Sequence, residues 1–161
     1  MKKRLLSTAF VAAVAFAHGL SVASESADSY SSDLSRVYWA YQQVQVQKEV
    51  CDISSPALRA ANNKAYAAWR ARHRALIQEL QRRVTAMIRL ASKDEKEYAR
   101  NLGKYEGAIL QERQDYKESL LKLGPDELRG QCQRMASVLG SPEADLAAVY
   151  AVELEAIRSR P

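Results

Sequence analysis

Few side chains in this sequence could do chemistry, and their spacing limits what it would be. His73 falls on the apolar side of a helical pattern, between Trp69 and Leu80. An imidazole there could ligate a metal or move a proton near neutral pH. A metal site needs further ligands, and the other histidine, His18, sits in an apolar leader. His73 is therefore expected as a packed, hydrogen-bonded residue at the core edge. Glu112 interrupts an apolar stripe within residues 93–123. A carboxylate facing a core needs a partner, and Arg72 and Arg83, at the edges of an earlier apolar face, can supply one, as can His73. Arg72, His73, Arg83 and Glu112 are accordingly expected as a buried polar cluster. A catalytic role for Glu112 would need a second acid beside it, and the sequence places none.

Other chemistry leaves no mark. There is no glycine-rich phosphate loop after a strand, no G-x-S-x-G turn, no C-x-x-C-H, and no paired His or Glu-x-x-His spacing for a metal. No catalytic residue, metal or cofactor is expected, and a binding protein is favoured over an enzyme.

The elements that hold these residues begin after a leader. Lys2, Lys3 and Arg4 precede an apolar run over residues 5–17, and Ser21-Val22-Ala23 offers small residues at a cleavage site. Residues 1–23 read as a secretory signal peptide, too short for a comfortable membrane span, and the expected address is a bacterial periplasm or the exterior. Residues 24–32 read as a mobile polar tail and residues 33–161 as one helical domain. In an oxidising compartment the two mature cysteines, Cys51 and Cys132, are expected as a disulfide, which on the chain-entropy model contributes about 4 kcal/mol. The full chain carries 24 Lys and Arg against 19 Asp and Glu, a net +5. Loss of Lys2, Lys3 and Arg4 leaves 21 against 19, or +2, so bulk charge argues for neither a nucleic-acid nor a membrane-surface partner.

Residues 56–91 look like the centre of the fold. After Ser55-Pro56, a capped helix start, Leu58, Ala65, Tyr66, Trp69, Leu76, Ile77, Leu80, Val84, Met87 and Ala91 share one face of a single long helix. Eight bases and one acid, Glu79, make this stretch +7. Lys64, Arg70, Arg74, Arg82 and Arg89 point away from the apolar face and form the candidate partner-binding stripe. Charges on acidic helices elsewhere could instead neutralise it. A first helix is expected from Asp33 to Cys51, although Val44 to Gln47 also alternates like a strand. Ser92 and Glu95 suggest a capping box after a turn, Gly124-Pro125 a break, and Gly140-Ser141-Pro142 another.

The expected fold is an all-α antiparallel bundle of four to five helices closed by one disulfide. The expected function is a small exported protein that binds another envelope protein through its basic helix face, as a chaperone, inhibitor or immunity factor would. The alternative is a binder of an anionic ligand or polyanion, such as lipopolysaccharide or a haem-like molecule. A glycan-active enzyme working through carboxylates alone comes last, because it needs two facing acids.

Overall fold

The computed structural model describes residues 19–160, so most of the expected signal peptide lies outside the described residues. Among these the chain is all helical, with seven α-helices and no strand. They are α1 (Gly19–Ser54), α2 (Arg59–Arg72), α3 (Arg74–Leu90), α4 (Glu95–Leu121), α5 (Pro125–Gly140), α6 (Leu146–Val149) and α7 (Ala151–Arg158), with 3-10 turns at Pro56–Leu58 and Pro142–Ala144. None of these helices is long and apolar enough to cross a membrane.

The central element is α1 rather than residues 56–91. It packs against every other helix, and Leu34, Val37, Ala40, Tyr41, Val46, Val50 and Cys51 along it are buried. Those positions cover more than one narrow stripe, as a helix surrounded by neighbours requires. The helix also begins at Gly19, so the helical backbone takes in residues 24–32, where the sequence suggested a tail. The end of that stretch is held by the opposite terminus: Tyr30 packs on the core and the Arg160 guanidinium donates to Ser29 Oγ at 3.0 Å.

The single helix expected over residues 56–91 is divided at His73, which leaves α-helical geometry at φ −95°, ψ 8°. No Gly or Pro marks the spot. Its cause is tertiary. The His73 ring is buried, and Nδ1–H donates to the Trp69 carbonyl at 2.9 Å, which also accepts the His73 amide at 3.1 Å. Nε2 lies 3.2 Å from both the Leu146 amide and Asp145 Oδ1, an acceptor for the first and, when protonated, a donor to the second. His73 thus ties the bend to the start of α6, whose N-cap is Asp145.

The turn before α4 is real, with its cap two residues later than Ser92. Asp94 is the N-cap and accepts from the Glu97 amide at 2.8 Å, while Glu97 accepts from the Lys93 amide at 2.9 Å. Cys51 and Cys132 are bonded, with Cα atoms 5.3 Å apart, joining the end of α1 to α5. Beside the bond, buried Asn62 donates to the Cys132 carbonyl at 3.2 Å and fastens α2 to α5.

The last helix is pinned to α3 by charge. Arg158 donates to Glu79 at 2.8 and 3.1 Å, and Arg83 donates to Glu79 at 3.1 Å. The Arg158 guanidinium, with help from Arg83, holds the Glu79 carboxyl below its ordinary range against the opposing effect of burial. A carboxyl depressed by folding takes up its proton first in the unfolded chain as pH falls. Its stabilisation is therefore full above about pH 4.5 and is lost as pH drops through the folded value. Denaturant titrations between pH 7 and 3 are expected to show this acid loss, and E79Q is expected to flatten it while lowering stability at pH 7.

Candidate functional site

The eight bases of residues 56–91 divide into two sets. Four belong to the fold. Arg59 donates to the Asp52 carbonyl at 2.7 Å, and Arg72 to the Leu139 carbonyl at 2.7 Å. Arg83, besides Glu79, reaches the Ile157 carbonyl at 2.9 Å and that of Arg160 at 3.2 Å. Arg89, expected in the binding stripe, pairs with Glu95 at 2.5 Å and lies over the Tyr98 ring, 3.7 Å from its centroid. It is part of the corner between α3 and α4, where an arginine on an aromatic face is favourable.

Lys64, Arg70, Arg74 and Arg82 form the second set. All four are exposed, and none makes an ion pair or hydrogen bond among the described residues. Their local acid, Glu79, is engaged by Arg83 and Arg158. No acid among the described residues pairs directly with any of these four.

Their position follows from the core behind them. Trp69 is buried, stacked on Tyr41 at 6.4 Å and Tyr66 at 6.2 Å, with Nε1–H donating to the Ala144 carbonyl at 2.7 Å. With Trp69 and His73 fixed inward, the next residue in each case, Arg70 and Arg74, is turned about 100° outward. These two arginines sit on either side of the helix break and line an open groove of about 490 Å³. Ala67 and Ala71 line it on α2, and Gln78 and Gln81 continue it along α3 with amide groups. Lys64 lies six residues before Arg70, and Arg82 eight residues after Arg74, so positive charge extends past both ends. The groove can seat an anionic group between two guanidinium forks, with amide donors beside them.

The polar cluster expected from Arg72, His73, Arg83 and Glu112 is not assembled. The first three serve separate partners, as described, and Glu112 is exposed. On a helix both position 112 and position 113 fit between Ile109 and Tyr116 on an inward stripe. The structure turns Arg113 inward instead, because α1 offers it a row of acceptors. Arg113 donates to Gln42 at 2.6 Å, Gln45 at 2.9 Å and Glu49 at 2.6 Å. Gln42, Gln45 and Glu49 recur at helical spacing, a polar row visible in the sequence that called for a cation on a facing helix. Among the described residues no group of three or more His, Cys, Asp or Glu is placed to hold a metal ion. No family model, no curated protein and no solved structure matches this chain.

Proposed function

We propose that this protein is an exported, periplasmic binding module, an antiparallel helical bundle that docks an acidic segment of another envelope protein along α2 and α3. The observation that carries this reading is the set of four exposed cations without an internal partner, Lys64, Arg70, Arg74 and Arg82, two of which line the groove across the helix break. An acidic segment laid along these bases meets complementary charge and adds charge-assisted contacts. None of the four is engaged in an ion pair or hydrogen bond among the described residues, which leaves their charges available for recognition.

The experiment is capture from a periplasmic extract at low and moderate salt, followed by binding measurements with the purified retained protein. The variant K64Q/R70Q/R74Q/R82Q is compared throughout. The expected result is a protein retained at moderate salt whose affinity falls roughly tenfold or more in the variant. The melting temperature should stay the same, because no internal pair is broken. Capture of many anionic species at low salt alone would instead favour the polyanion binder, since such binding is screened steeply by salt. A partner held equally well by the variant would overturn the assignment of the groove.

A further inference from the structure

His73 is buried in the break between α2 and α3, and its ring is held from two sides. Nδ1–H is committed to the Trp69 carbonyl at 2.9 Å, so in the neutral ring Nε2 carries the lone pair. Nε2 lies 3.2 Å from the Leu146 amide and 3.2 Å from Asp145 Oδ1. These two neighbours make opposite demands, because an amide N–H can only donate and a carboxylate can only accept. Neutral, Nε2 accepts from Leu146 and faces the carboxylate lone pair to lone pair. Protonated, it donates to Asp145 and faces the amide hydrogen to hydrogen. No single protonation state satisfies both.

The two neighbours do not lose equally. Asp145 keeps a second donor, the Ala147 amide at 3.0 Å, in either state. The Leu146 amide has His73 Nε2 as its acceptor and no backbone carbonyl among the described residues. Leu146 is buried, and a buried donor stripped of its acceptor is costly. The residue that opens α6 must then move to recover a partner.

The ionisable groups around the ring decide whether a proton can enter. Asp145 is the acid within ion-pair reach, and its side chain, 40% exposed against 3% for His73, connects the buried ring to solvent. The His73 side chain and the Ala147 amide hold the Asp145 carboxyl below its ordinary range, so it is charged wherever an imidazole titrates. Arg70, Arg72 and Arg74 on α2 and α3 oppose a further positive charge, but Arg70 and Arg74 face solvent and Arg72 is occupied at the Leu139 carbonyl of α5. From α1 comes Tyr41, on the far side of Trp69, which burial keeps neutral. Glu153 of α7 is taken by Arg36 of α1. We propose that His73 is a pH-operated latch between the α2–α3 break and α6. The neutral ring holds the Leu146 amide; on taking a proton from solvent it releases that amide and pairs with Asp145, and the first turn of α6 rearranges.

The test is an NMR titration of the purified protein from pH 8 to 5, above the range in which the Glu79 pairs are lost. The His73 ring signals are identified by their contact with the Trp69 indole, whose centroid is 4.8 Å away. The Leu146 amide is expected to shift in one step with the same midpoint as the His73 ring. Its protection from hydrogen exchange, corrected for the ordinary pH dependence of exchange, should fall about tenfold across that step, the loss of one buried hydrogen bond. D145N keeps an N-cap acceptor without the charge, so both curves should move together to lower pH. H73Q offers a side-chain acceptor that takes no proton, so its Leu146 amide should show no step; D145N carries the test if H73Q does not fold. A ring that takes no proton by pH 5, a Leu146 amide that stays still or moves at another midpoint, or a step left in place by D145N would overturn the latch.

Discussion

Replacing Trp69 with alanine is expected to cost about 3–5 kcal/mol of folding stability, a large part of what a domain of this size possesses. Trp69 is 1% exposed and its ring lies among Tyr41 of α1, Tyr66 of α2 and His73, whose ring centroid is 4.8 Å away. The alanine variant leaves a cavity bounded by three aromatic rings that belong to different parts of the fold, and they cannot all close on it. It also strips the Ala144 carbonyl of the indole N–H at 2.7 Å, a loss of about 1 kcal/mol when an acceptor is left unpaired. W69F separates the two effects: it keeps most of the apolar area and loses the donor, so it should cost clearly less than W69A. Urea unfolding followed by circular dichroism measures both. A loss below about 1.5 kcal/mol for W69A would show that the site collapses freely and that Trp69 does not organise the core. The basic groove should loosen with it, since the inward anchorage of Trp69 is what turns Arg70 outward.

The uneven legibility of this sequence has physical reasons. Helical content and most helix ends were readable because they depend on local chemistry. Pro56 opens a 3-10 turn, Gly124 and Pro125 mark the end of one helix and the start of the next, and Gly140 closes α5. Leu76, Ile77, Leu80 and Val84 fall inward as their period requires. The break at His73 was not readable, because it depends on a ring that reaches Asp145 and Leu146, 72 and 73 residues away. The choice of Arg113 over Glu112 was equally invisible from α4 alone, since both fit the stripe and only the acceptor row on α1 decides. The central place of α1 was obscured by its polar buried position Gln42 and by the alternation from Val44 to Gln47, which weaken the apparent helical period. Of the five stripe residues, Arg89 was misplaced because its partners, Glu95 and Tyr98, lie beyond a turn.

Removing the disulfide is expected to lower stability by about 4 kcal/mol, because Cys51 and Cys132 are 81 residues apart and the bond denies the unfolded chain that whole loop. In urea this corresponds to a midpoint lower by roughly 2 M. C51S/C132S, compared with the oxidised wild type, is the direct measurement, and the wild type under reductant should behave like the variant. The loop encloses α2, α3 and α4, and so the whole of the basic groove. The groove should therefore share the loss, with the helical spectrum in native buffer retained while the rest of the core holds. The neighbouring Asn62 bond to the Cys132 carbonyl ties α2 to the same residue of α5 that the disulfide ties to α1. If the disulfide acts only through the unfolded chain, N62A should cost the same with or without it, and the two effects should add. If it also positions Cys132 for Asn62, the residues are coupled and the double variant should depart from the sum by more than about 0.5 kcal/mol. An unchanged midpoint on reduction would instead mean that the native fold loses as much in holding the bond as the unfolded chain loses by being crosslinked.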